Sequence, residues 1–188
     1  MDKVTSAIQF ASKAHDGMCR KKDNSPYILH PLEAAVIVGT MTNDQDVISA
    51  ALLHDVVEDT EITIEEIEEN FGRRVRELVE SETEDKRADL PPEDTWRIRK
   101  EESLNDLKNT DDDAVLMLWL GDKLSNMRSF YRISKNEGSA MWQAFNQKDP
   151  EEQFWYYNSI AELTSSLEKY PAWQEYNELL KIVFERNK

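Results

Sequence analysis

The sequence predicts an all-α fold of about eight to ten helices. Apolar residues recur at helical spacing in almost every segment, and no run of four or more residues alternates as a strand would. Glycine (5) and proline (6) are scarce among 188 residues, and the prolines fall between periodic segments, where they punctuate helices rather than break them.

Val4, Ala7, Ile8 and Ala11 form one apolar stripe on a helix from Lys3 to His15, and a polar loop, Asp16 to Tyr27, follows it. Pro31 occupies the first turn of a helix running through Leu32, Ala35 and Val38. Asp46 precedes Val47 to Val57, which is apolar nearly all round and is therefore expected at the centre. Thr63 and Glu66 have capping-box spacing, Gly72 stands where a helix entered at Ile64 would end, and another helix begins near Arg73. The charged stretch Glu80 to Glu93 ends in Pro91-Pro92; its latter part reads as an exposed loop, a candidate rim or lid, leading into a helix near Asp94. Ala114 to Ile133 carries Val115, Leu118, Trp119, Met127 and Phe130 around a polar face of Asp122, Asn126 and Ser129. Asp149-Pro150 caps and opens a helix with Phe154, Tyr157, Ile160, Ala161, Thr164 and Leu167 facing inward, and Pro171 opens the last, through Trp173, Tyr176, Leu180 and Phe184. One domain over 1–188 is expected, its motifs within 4–132 and its C-terminal helices, 137–188, packed on them.

Composition narrows the function. No stretch approaches the roughly 20 apolar residues of a membrane span, and the N-terminus lacks the apolar core of a signal peptide, so a cytoplasmic location is expected. Net charge of -15 argues against nucleic acid or anionic membrane as partner, while a small anionic ligand needs only a local cluster of cations. The single cysteine, Cys19, excludes an intramolecular disulfide and a multi-cysteine metal site, which leaves histidine and carboxylate as ligands.

The segment HDVVED pairs His54 with Glu58 and Asp55 with Asp59 at i,i+4, which places all four side chains on one helix surface. Three carboxylates and an imidazole beside an apolar run are most readily explained by a bound cation. His30, between Tyr27-Ile28-Leu29 and Pro31, and Asp122, beside Gly121, are open to structural readings on spacing alone; Gly121 removes a side chain and allows close approach of a helix or ligand. Two imidazoles and two carboxylates suit manganese, iron or zinc.

The elements AHDG, RK, PYILHPLEAA, AALLHDVVEDT and DKLSN occur in that order between Val4 and Arg132. Together they resemble the hydrolase domain of RelA/SpoT proteins, including small single-domain alarmone hydrolases such as the metazoan SpoT homologue. The resemblance implies an HD-domain helical bundle. It implies metal ligands at His30, His54, Asp55 and Asp122, and a catalytic acidic pair at Glu58 and Asp59. It also implies a substrate-binding basic pair at Arg20 and Lys21, with Lys123, Asn126 and Ser129 along DKLSN as further substrate contacts. The usual metal of the family is Mn2+, with Fe2+ or Zn2+ as other divalent candidates. The implied reaction removes pyrophosphate from the 3′ position of ppGpp or pppGpp. Gly121, where alanine is more usual, and the long acidic Asp85 to Trp96 region depart from the family. They leave open another nucleotide such as NADPH, or a module that binds nucleotide without turnover. His15 reads as a helix-end residue near the site, and the aromatic residues at Trp142 to Asn146 and Phe154 to Tyr157 read mostly as core.

Overall fold

The computed structural model describes residues 2–20, 24–87 and 89–185. Among these the chain is all-α, with ten α-helices and no strand; one isolated antiparallel bridge joins Cys19 and Pro26 across the first loop. Among the described residues no helix is long and apolar enough to cross a membrane.

The first helix, α1 (Lys3–Ala14), is capped by Asp2, whose carboxylate accepts from the Thr5 amide at 2.9 Å, and it ends with His15 as C-cap. Ala7 and Ala11 are fully buried, but Ile8 is 36% exposed, so the apolar stripe is narrower than the spacing predicts. Helix α2 (Leu29–Gly39) runs from His30 through Ala34, Ala35 and Val38.

The expected continuous helix Val47 to Val57 is interrupted. Helix α3 (Gln45–Leu53), capped by Asp44, begins two residues before the expected Val47 and stops before His54, and a four-residue helix α4 (Val56–Asp59) follows. Asp55 adopts φ -89° and ψ -8°, a bridge-region conformation often found at functional positions. HDVVED is therefore a bend and not one helix face.

Thr63 and Glu66 form the expected reciprocal capping box of α5 (Ile64–Phe71). Gly72, at φ 89°, turns the chain directly into α6 (Arg73–Glu80), a left-handed conformation that strains any other residue. Helix α7 (Pro92–Lys108) begins two residues earlier than expected, with Pro92 itself in its first turn. The segment before it is not uniformly solvated: Glu82 is only 7% exposed.

The 25-residue helix α8 (Asp113–Glu137) is the axis of the molecule, packed against α2, α3 and α6 and against the last helix, α10 (Pro171–Glu185). Gly121 sets its approach to α2. A Cβ there would stand 2.6 Å from Val38 Cγ2 and 3.1 Å from the Ala34 carbonyl oxygen, so the helices meet closer than a Cβ allows unless Val38 and the Ala34 carbonyl give way.

Helix α9 (Pro150–Leu163) has the expected Asp149 cap, with the carboxylate accepting from the Glu151 amide at 2.8 Å. Phe154 is 42% exposed rather than inward, while Thr164 and Leu167 are buried but lie beyond the helix end. Phe130 meets Trp142, Phe145 and Tyr157 edge-on, with ring centroids 5.5, 5.1 and 5.3 Å away. Most of the C-terminal aromatic residues are core.

Candidate metal centre

Three chain segments deliver one cluster. His30 comes from the first turn of α2, His54 from the end of α3 and Asp122 from the middle of α8; all three are buried, and a ligand atom from each lies within 4.8 Å of the others. His30 Nε2 is 3.0 Å and His54 Nε2 is 3.7 Å from Asp122 Oδ1. The bend at Asp55 carries its Oδ2 to 3.2 Å from His54 Nε2 and 3.5 Å from His30 Nε2, where it also accepts a hydrogen bond from the Tyr27 hydroxyl at 2.7 Å.

Hydrogen bonds on the far side of each ring decide what the Nε2 atoms offer. His54 Nδ1 sits 2.9 Å from the Ala51 carbonyl oxygen, so it carries the proton. His30 Nδ1 sits 2.9 Å from Ser125 Oγ, whose own hydrogen goes to Glu33 Oε2 at 2.8 Å, so Nδ1 again donates. In the neutral rings both Nε2 lone pairs therefore face carboxylate oxygens, and His54 Nε2, fully buried, makes no hydrogen bond. Acceptor facing acceptor in a buried site calls for a cation, and this donor set fits a divalent metal held by nitrogen and oxygen. Without metal, the same need appears as a proton. Burial disfavours the His54 imidazolium, but Asp55 and Asp122 override it and raise its pKa well above the ordinary range. Burial opposes ionisation of Asp122 too, yet Lys123 and the two histidines hold its carboxyl well below the ordinary range.

Glu58 and Asp59 lie one turn past the bend, on α4. Lys86, from the segment before α7, reaches both: its Nζ donates to Asp59 Oδ1 at 2.5 Å and to the Glu58 carbonyl at 2.8 Å, and lies 3.4 Å from Glu58 Oε1. The Glu84 amide donates to Glu58 Oε2 at 3.4 Å. Burial and then Asp55 raise the Glu58 pKa, with Lys86 pulling the other way.

Both groups of acids line a cavity of about 460 Å³. Arg20, Lys123, Asn126 and Ser129 line it too, so the described members of the expected substrate set converge there; Lys21 lies outside the described residues. Arg20 donates to Asn126 Oδ1 at 2.9 Å, and Asn126 Nδ2 donates to Asp122 Oδ1 at 2.7 Å. Lys123 is tied to the acids, donating to Asp122 Oδ2 and lying 3.4 Å from Glu82 Oε1. Despite that lysine, burial and Asp122 push Glu82 up to about 8. His15 is buried behind the site, its ring 4.9 Å from that of Tyr27.

Sequence reasoning missed Tyr27, Ser125, Glu82 and Lys86. Tyr27 and Ser125 stand inside the motifs, three residues from His30 and Asp122 respectively, which is the signal that could have found them. Glu82 and Lys86 sit in a charged run whose composition reads as solvent-facing.

A family model described as the HD domain matches residues 7–147. Among curated proteins, the chain is similar to a guanosine-3′,5′-bis(diphosphate) 3′-pyrophosphohydrolase of Aquifex aeolicus, with 37% identity over 130 residues, 69% of this chain. It spans only 18% of that protein's length. It is also 40% identical over 135 residues to the Xenopus tropicalis guanosine-3′,5′-bis(diphosphate) 3′-pyrophosphohydrolase MESH1, covering 70% of this chain and 71% of MESH1. Among solved structures, a metazoan SpoT orthologue described as hydrolysing ppGpp superposes with TM-score 0.77 at 25% identity, covering 97% of this chain and 96% of its own. The Listeria monocytogenes EGD-e protein lmo0812 superposes with TM-score 0.72 at 32% identity, covering 83% and 99%.

Proposed function

The chain belongs to the HD-domain family, and from that premise we propose that it is a metal-dependent phosphohydrolase that removes the 3′-pyrophosphate of ppGpp or pppGpp to give GDP or GTP. The observation that carries this reading is the pair of Nδ1-protonated histidines, whose Nε2 lone pairs converge on Asp122 and Asp55 beside the Glu58-Asp59 pair. The names of the relatives supply the substrate.

We assign His30, His54, Asp55 and Asp122 as ligands of a divalent ion, Mn2+ in the first instance, with Fe2+ or Zn2+ compatible with the same donors. When bound, such an ion supplies Lewis-acid polarisation of the phosphoryl oxygens and an acidified water. Glu58, its pKa raised by burial, is placed to take the proton of the attacking water, and Asp59, fixed by Lys86, to orient it. The Tyr27 hydroxyl holds Asp55 in place. Arg20 and Asn126 present a guanidinium and an amide to the phosphates or ribose, with Ser129 one turn further along α8, Lys123 adding charge from behind Asp122, and Lys21 as the second member of the basic pair.

Phosphate and pyrophosphate release, measured with manganese across ppGpp, pppGpp, NADPH and ordinary nucleotides, tests the reading. Pyrophosphate from ppGpp is expected. Phosphate from NADPH instead selects a phosphatase of another nucleotide, and no turnover by metal-loaded protein leaves only a binding module.

A further inference from the structure

The wall of the cavity built by α7 and α9 holds charge that the site described above does not use. Arg99 Nη1 donates to Glu84 Oε2 at 2.8 Å, and Lys100 Nζ and Ser103 Oγ donate to Glu84 Oε1 at 2.6 and 3.0 Å. Two cations thus share one carboxylate, all three about nine-tenths or four-fifths buried at the side chain. The next carboxylates, Glu58 and Asp59, are engaged by Lys86. Arg99 and Lys100 line the cavity together with Glu84, so two cations held on one carboxylate face its interior. Burial strains that arrangement, lowering the Lys100 pKa against the pull of Glu84.

A second observation points the same way. Tyr156, on α9, is 2% exposed and lines the same cavity, yet its hydroxyl has no hydrogen-bond partner. Lys100 Nζ lies 4.8 Å from the centre of its ring. A water would satisfy the hydroxyl alone, whereas an anion accepts its hydrogen and also meets the two cations on the same wall.

We propose that Arg99, Lys100 and the Tyr156 hydroxyl form a second anion subsite, which takes the 5′ phosphates of a nucleotide phosphorylated at both ends while its 3′ group lies at the metal ligands. This rests on the function proposed above. The subsite selects for the doubly phosphorylated nucleotide, and Glu84 holds its two cations in place.

The test compares kcat/KM for guanosine 3′,5′-bis(diphosphate) with that for guanosine 3′-diphosphate bearing a free 5′ hydroxyl. Lys100→Met leaves Glu84 paired with Arg99, a balanced pair, so the variant is expected to fold; circular dichroism checks this. The preference for the doubly phosphorylated nucleotide is expected to fall at least about tenfold in Lys100→Met and about threefold in Tyr156→Phe, with Lys100→Arg restoring part of it. A merely structural role lowers both substrates alike and leaves the ratio unmoved, and that result overturns the subsite. If the native protein hydrolyses neither nucleotide, calorimetric titration of the EDTA-treated protein with inorganic pyrophosphate decides. Binding that Lys100→Met abolishes supports the subsite; no binding, or binding unaffected by the variant, overturns it.

Discussion

The proposed site gives Asp122 and Glu58 different tasks, which substitution can separate. Asp122→Asn removes a carboxylate toward which both histidines point, so bound divalent metal, read by elemental analysis, is expected to fall with activity. Glu58→Gln leaves that donor set intact and is expected to retain the metal while hydrolysis drops by about 10²–10⁴, the usual worth of a general base. Glu82 makes a different prediction, about stability. Its pKa in the folded protein, about 8, stands above the ordinary 4.5, so between those values the folded protein keeps a proton the unfolded chain has lost. Stability must then fall as pH rises through that window, and Glu82→Gln is expected to flatten the decline in melting temperature between about pH 5 and 8. An equally steep decline in the variant would assign it to other groups. None of this was legible at Glu82, because a glutamate in a charged run is ordinarily solvated, whereas in the fold it is buried beside Lys123 of α8.

Helix boundaries were legible where local chemistry sets them. The box of Thr63 and Glu66, the turn at Gly72 and the Asp149-Pro150 start are interactions within four residues, and each stands where the sequence places it. The bend at His54-Asp55 was not legible, because it answers to Tyr27, His30 and Asp122, contacts distant in sequence. The same limit left His30 and Asp122 ambiguous by spacing, and only the resemblance implies them as ligands. Two element-level predictions follow from contacts of this kind. Gly121→Ala forces a Cβ into Val38 and the Ala34 carbonyl, so a loss of about 1–3 kcal/mol in denaturant unfolding is expected, and His30, carried on α2, is displaced with it. Lys86→Met removes a cation that holds down the Glu58 pKa; the acid limb of the pH–rate profile is expected to move to higher pH, and an unmoved limb would assign the proton transfer elsewhere.

Across the whole molecule, α8 joins the two halves of the design: α2 and α3 pack on it to bring His30, His54 and Asp122 together, and α10 packs on it behind the aromatic core that supports α9. The all-helical class was legible in periodicity alone, whereas the cavity was not, since its walls come from residues as far apart as Met18 and Tyr157. That distance has a temporal side. His30 and the Ser125 hydroxyl that sets its tautomer are 95 positions apart, so the donor set does not exist until α2, α3 and α8 have all docked. Helices form in about microseconds, while closing long loops is slower and comes later. In refolding, far-ultraviolet circular dichroism is therefore expected to recover before divalent-metal uptake, which would serve as a late witness that the chain has reached its native arrangement.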